Sequence, residues 1–410
     1  MGWRLRRTGL VLLSFVVGLG LGVLVLACFK GPDPQRAAGV MTVNNRTSAA
    51  FERPAGGLSP AELARHDQAD LVFDRSHVPL AGHPGAGLGP LFIANSCVAC
   101  HVRNGRGRPV ADEALVRLFP ATTALGPQLQ TQATYGHRPE AVLSLAWPAA
   151  AAPALRQPQV QLSPLPEQAP LPARLRGSLR VAPPLLGLGL LEQVPDAAIT
   201  ALADPDDGNG DGISGRPHWL DQGQGQRRLG RFGWKAIQPS VREQSAAAYN
   251  DDMGLTTPLN RHSDRSAAGL PADISNQELD LVTYYSQTLG APRTDLPATA
   301  ALVRQGRQLF DQMQCARCHV PQLRTGHSPT AVVQALQGQT IWPYSDLLLH
   351  DMGPGLDDGV PERGALSSEW RTPPLWGIGL AQTINPQAGF LHDGRARSLD
   401  EAIRWHGGEA

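Results

Sequence analysis

Two short motifs concentrate the residue types that can do redox chemistry. Cys97-Val98-Ala99-Cys100-His101 and Cys315-Ala316-Arg317-Cys318-His319 each set two thiols two residues apart and follow them with an imidazole. At the start of a helix such a pair reaches the two vinyl groups of one haem, and the next residue presents its ring to the iron. Cysteine pairs also build zinc or dithiol redox sites. A shared zinc, however, would require two pairs far apart in the chain to converge, and a dithiol centre does not explain the following His twice. The chain has five cysteines and the fifth is Cys28, so no disulfide framework is left over. The expectation is two covalently attached haem c groups, bound through Cys97, Cys100, Cys315 and Cys318, with His101 and His319 as proximal ligands.

A third constellation is made of oxygen donors. In the segment 204–214, Asp207, Asn209 and Asp211 alternate, Gly212 stands where a calcium loop turns sharply, and Ile213 offers a carbonyl. The twelfth position is His218 and not Glu, so the segment departs from an EF-hand, and a structural Ca2+ is expected.

The elements that carry these groups repeat. Leu91-Phe92 precedes the first motif by the same interval as Leu309-Phe310 precedes the second. Pro183-Pro184-Leu185-Leu186-Gly187-Leu188-Gly189-Leu190 matches Pro373-Pro374-Leu375-Trp376-Gly377-Ile378-Gly379-Leu380 at six of eight positions. One haem module is therefore written twice. The first copy carries an extra Pro/Ala-rich stretch from Leu143 to Pro184, unsuited to long helices because proline lacks the amide donor. Apolar spacing predicts a helix over 300–312, and Ser275 with Glu278 forms a capping box that opens another over 275–289. The fold expected is mainly α, with two haem domains at 70–291 and 299–410, loop-rich inserts, and a linker at 292–298.

Thirty-six basic residues balance 36 acidic ones, which removes the electrostatic footprint of a nucleic-acid binder. Arg4, Arg6 and Arg7 precede an uncharged run from Thr8 to Ala27, so residues 1–28 read as an export signal or anchor. Lipid attachment at Cys28 and an uncleaved membrane span both remain open. Either leaves the body on the periplasmic side of a bacterial membrane. Residues 29–69 lack apolar periodicity and read as a flexible tether.

The order LGPLF, SCVACHVRNGRG, DGNGDGISGR, GRFGWKA, DMGLTTP, CARCHVP, PYSDLLLHDMG, EWRTPPLWGIG and FLHDGRARSLDEAIRWHGGEA resembles the bacterial di-haem oxidoreductase (peroxidase) family. Its relatives include the di-haem cytochrome c peroxidases and the di-haem enzyme that matures methylamine dehydrogenase. The resemblance covers residues 70–410. It implies two cytochrome c-like domains with communicating haems, oxidative chemistry at one iron fed through the other, peroxide as substrate and a small cytochrome or cupredoxin as electron donor. Two other readings stay open: a di-haem electron carrier without a substrate site, and an oxidase of a partner protein. The chain stops at Ala410, where relatives run on into a closing helix, so a shortened second domain is expected.

The resemblance also suggests groups on the far side of each iron. The pattern after Phe390 matches His406 to the distal ligand of the second haem, while Met352, in Asp351-Met352-Gly353, has a spacing from His319 that a small cytochrome c would use. In the first copy the repeat makes Met253 the candidate ligand. Asp252 is the candidate acid/base, because splitting peroxide needs a carboxylate that moves a proton between its two oxygens. Trp234 lies beside the block in which relatives hold a tryptophan between the haems, a candidate relay for an electron hole.

Overall fold

Serine caps explain where the principal helices start. Ser59 accepts a hydrogen bond from the Glu62 amide while the Glu62 carboxylate reaches back to the Ser59 amide, and Pro60 supplies a preset first turn to the helix Pro60–Phe73. The same reciprocal box joins Ser275 and Glu278 at the head of Asn276–Gln287, two residues shorter at its end than the sequence predicts. Ser240 opens Val241–Met253 by accepting from the Glu243 amide. Asn276–Gln287 packs against both of the others, burying its own Tyr284 and Tyr285 with Val72 and Phe73 of Pro60–Phe73 and Tyr249 of Val241–Met253. The computed structural model describes residues 33–410 except 122–124, 149–154, 261–270, 296, 298–299 and 330. Cys28 and the uncharged N-terminal run lie outside the described residues.

The expectation of a mainly α chain is overturned: the protein is 26% helical and 15% strand. Among the described residues the strands form six separate two-stranded antiparallel ribbons. The physical reason lies in 44 glycines and 36 prolines, which cut helices short and leave backbone groups to be paired across ribbons. The Pro/Ala-rich insert is the clearest case. Val142–Ala146 pairs with Gln159–Ser163 and Leu115–Phe119 with Arg176–Arg180. Their alternate side chains close a small core of their own around Val116, Leu118, Leu129 and Leu179.

Of the tether expected over 29–69, residues 29–32 lie outside the described residues, and the segment 33–69 is packed and not free. Met41 is fully buried, Phe51 is 2% exposed, and both belong to the main core. Val43 and Ala55 donate backbone hydrogen bonds to Ala291 and Thr288. A few well-spaced apolar residues were enough to fix a segment without helical periodicity.

Residues 35–410 form one unit in which the repeated blocks grip each other reciprocally. Gly187 (φ +61°) lies so close to the Trp376 indole that any Cβ would collide with it. Gly377 (φ +70°) lies in the same way against Leu186, 2.7 Å from where a Cβ would stand. Leu186 and Trp376 occupy the same position in their two copies, so each copy's glycine receives the other copy's side chain. The backbone repeats this exchange: the Val181 amide donates to the His392 carbonyl at 2.9 Å, and the Arg371 amide to the Trp234 carbonyl at 2.9 Å.

Lys235 crosses the same seam. Fully buried, it donates to the carbonyls of Leu366, Ser367 and Glu369 at 2.8–2.9 Å, and its Nζ stands 3.8 Å from the centre of the Trp370 ring. His392 stacks on that ring at 3.7 Å. Lys235→Met removes the charged donor that three carbonyls of the other copy share, two of which keep only backbone bonds of 3.2 and 3.5 Å, and a loss of about 3 kcal/mol or more is expected in denaturant melts. Exchanging Arg404, in an exposed pair with Asp400, leaves the midpoint in place, and equal stability of the two variants would contradict the role given to Lys235.

Candidate active site

The first motif forms the one-turn helix Cys97–Cys100, and His101 caps it with its amide on the Cys97 carbonyl. The His101 Nδ1 is shut away from solvent without a well-formed hydrogen bond. Burial pushes this imidazole down to about 4, opposed only by the Pro183 carbonyl beside it. At neutral pH the ring is therefore uncharged, the state in which imidazole binds metal. Burial, reinforced by the charge of Asp252, pushes both the Cys97 and the Cys100 thiol up to about 12. Cys97, Cys100, Cys315 and Cys318 are all free of disulfides. A cavity of about 290 Å³ opens beside this turn, lined by Leu88, Phe92, Ile93, Ala99, Asp112 and Gln132 among others.

The end of the helix Val241–Met253 brings a pair of carboxylates to the same place. The Asp252 carbonyl accepts from the amides of Ile93 and Ala94, four and three residues ahead of Cys97. Three glutamines from the segment just before the insert face this corner. Gln128 Nε2 donates to Asp252 Oδ1 at 2.7 Å and to the Asp251 carbonyl at 2.9 Å; Gln130 Nε2 donates to the Asp251 carbonyl at 2.8 Å; Gln132 Nε2 donates to the Ile93 carbonyl at 2.7 Å. Sequence reasoning missed this row, although Gln128-Leu129-Gln130-Thr131-Gln132 carries the period of two that aims alternate side chains one way. Burial and the neighbouring Asp251 push the Asp252 carboxyl up to about 7. Asp251 is also raised by burial, opposed by Arg117. Met253 is 3% exposed in the main core, with its carbonyl accepting from the Gly89 amide.

The second motif begins with a tight turn, Cys315–Arg317. His319 Nδ1 faces the Tyr344 carbonyl at 3.0 Å, and His406 Nδ1 faces the Ala402 carbonyl at 2.8 Å, so each ring offers its Nε2. Burial holds His319 below its ordinary range. The two ring centres stand 6.4 Å apart. Two imidazoles bonding one metal from opposite sides, at about 2 Å each, would hold their centres roughly 6 Å apart. Phe310 lies 6.3 Å from His319. On its helix and on the one leading to His406, Leu302, Leu309, Met313, Leu399 and Ile403 stay exposed, an apolar surface suited to a flat hydrophobic group. These residues fit a haem. Met352 is half-buried; its amide donates to the Ser368 carbonyl, and the neighbouring Gly353 packs on Gly408, so this segment fixes the tail that bears His406.

The repeat can now be aligned by geometry. The Phe232 amide bonds the Gln238 carbonyl, and the Phe390 amide bonds the Ala396 carbonyl, closing identical loops. Ser240 and Ser398, each eight residues beyond its phenylalanine, cap the helices that follow. In this register His406 corresponds to Ala248, and Trp234 to His392. Met253 falls five residues past the His406 position. The Trp234 indole donates to the Val181 carbonyl at 2.9 Å, and the Arg106 guanidinium stands 5.3 Å from its ring.

In the segment 204–214, Asp204, Asp207, Asn209 and Asp211 turn their side-chain oxygens to the amides of Gly208, Gly212, Asp211 and Ile213. Asp211 also pairs with Arg317 of the second motif at 3.5 Å. Among the described residues no three His, Cys, Asp or Glu side chains converge as a metal site.

A family described as "Di-haem oxidoreductase, putative peroxidase" matches residues 33–119, 171–276 and 263–410. No curated protein and no solved structure matches the chain.

Because the folded state holds Asp252 at about 7 and an unfolded chain holds it near 4, the native protein binds the extra proton between these values. Stability should fall as pH rises from 5 to 8, by roughly 2–3 kcal/mol, and Asp252→Asn should flatten that slope. Thermal melts across this range check it, and parallel pH profiles for both proteins would contradict it.

Proposed function

The chain belongs to the di-haem oxidoreductase family, and from that premise we propose that it reduces peroxide at the first haem site, with electrons entering through the second. The observation that carries this reading is the unequal use of one repeated position: His406 stands 6.4 Å from His319 in the second copy, whereas the residue at the same interval from the Ser cap in the first is Ala248. An alanine offers no ligand, so the first site keeps room for a substrate. A second imidazole closes the other site and suits it to passing electrons.

When bound, haem supplies an iron that accepts and releases electrons singly; both are taken to be held covalently, through Cys97 and Cys100 and through Cys315 and Cys318. His101 and His319 would be the proximal ligands, each kept neutral by burial with Nδ1 turned toward a backbone carbonyl. Converting one peroxide to two waters consumes two electrons and two protons. Asp252 is assigned the proton transfer, taking a proton from one peroxide oxygen and giving it to the other, which leaves as water. A carboxyl near 7 can do both at neutral pH. Gln128 fixes its orientation through Oδ1. Trp234 is assigned the relay between the sites; its support is that its carbonyl and its indole bond opposite sides of the seam. A small electron-donor protein on the periplasmic side completes the scheme.

Stopped-flow mixing with hydrogen peroxide tests this. Asp252→Asn is expected to slow the reaction about 10²–10⁴-fold, with Asp251→Asn far less affected. Equal rates in wild type and Asp252→Asn would contradict the assignment, and no reaction in wild type would favour a plain electron carrier.

A further inference from the structure

Five arginines are more than nine-tenths buried among the described residues: Arg106, Arg180, Arg231, Arg371 and Arg395. Three of them have an acid partner. Arg180 meets Asp358 and Glu362, Arg231 meets Asp196, and Arg395 meets Asp393. Arg106 and Arg371 bond only neutral carbonyls. Arg106 donates to Gly389 and Leu391, and Arg371 to Gly233 and Thr372. The carboxylates that act on them from a distance are already engaged, Asp393 with Arg395 and Asp346 with His350. Burying a guanidinium with no counter-charge costs several kcal/mol, so two such groups on one seam call for an anion.

Their positions narrow the choice of anion. Arg106 follows His101 by five residues, and its guanidinium stands 5.3 Å from the Trp234 ring. Arg371 reaches the same loop from the other copy, through its side chain to Gly233 and its amide to Trp234. The Arg371–Thr372 backbone is tied to the segment that orients His319: Thr372 accepts from Ser345 Oγ at 2.7 Å and donates to the Leu348 carbonyl at 3.0 Å, while Tyr344 holds His319 Nδ1. One unpaired cation thus accompanies each motif. Each haem carries two carboxylate side chains, and the forked guanidinium matches a carboxylate in a bidentate manner.

We infer that Arg106 and Arg371 anchor haem carboxylates, Arg106 those of the first haem and Arg371 those of the second, on either side of Trp234. This rests on the haem assignment under the proposed function. It gives each site a charge that raises its reduction potential, because a nearby cation favours the reduced iron. It also leads both haems' polar edges to the relay residue.

Spectroelectrochemical titration of the intact holoprotein tests the inference, with haem content read by mass. Arg106→Gln is expected to lower the midpoint potential of the first haem and Arg371→Gln that of the second, with spin states and haem content unchanged. Arg106→Lys and Arg371→Lys keep the charge but lose the fork, so their potentials move less, while the haem propionate bending bands shift in resonance Raman spectra. Unmoved potentials in both Gln variants overturn the assignment. If the Gln variants do not fold, unmoved Raman bands in the Lys variants overturn it. A wild-type chain without two haems overturns the underlying reading, and the assignment with it.

Discussion

The reciprocal contact between the two copies of the Pro-Pro-Leu-x-Gly block is the constraint on which the rest of the molecule depends. Gly187 admits Trp376 and Gly377 admits Leu186, each at a backbone conformation that favours glycine. The exchange continues in the hydrogen bonds from Val181 to His392 and from Arg371 to Trp234. Segments that orient one copy's motif are therefore held by the other copy. Pro183, beside His101, follows Val181, which bonds His392 of the other copy, and Tyr344, which orients His319, leads through Ser345 and Thr372 to Arg371, which bonds Trp234 of the other copy. Neither motif is fixed by its own half alone.

On this nearly symmetric frame, a few substitutions produce an asymmetric site. The helix capped by Ser398 ends at Arg404 and delivers His406 toward His319, whereas the helix capped by Ser240 continues to Met253 and delivers Asp251 and Asp252 toward the first motif. The loop that carries Trp234 in one copy carries His392 in the other. His392 is stacked against Trp370, and burial, reinforced by Arg180, Arg395 and Lys235, holds its ring well below its ordinary range and uncharged. The repeat supplies two similar frames that differ at Ala248, Asp252 and His406, and the proposed difference in chemistry rests on these positions.

The features that define the candidate site were legible in the sequence because they depend on spacing along the chain. The two motifs, the capping box at Ser275 and the repeated block need no tertiary information to be read. The fold class was not legible, because helix signals in a few segments do not reveal how a Gly- and Pro-rich remainder pairs its backbone. The ribbons of the insert and the burial of Met41 and Phe51 are set by partners distant in sequence. The ligand register was blurred for a related reason: Met253 lies near the end of a matching helix, and only the common interval from Phe to Ser cap shows that Ala248 corresponds to His406. The glutamine row and the unpaired arginines were equally hidden, since a charge without a partner is visible only once the surroundings are known.

The central claim, that one repeated frame holds a closed iron and an open one, is tested most directly by electron paramagnetic resonance of the fully oxidised holoprotein. The account predicts two unequal signals, one low-spin with two imidazole ligands and one high-spin that changes when hydrogen peroxide is added. Two low-spin signals, both indifferent to peroxide, would contradict it.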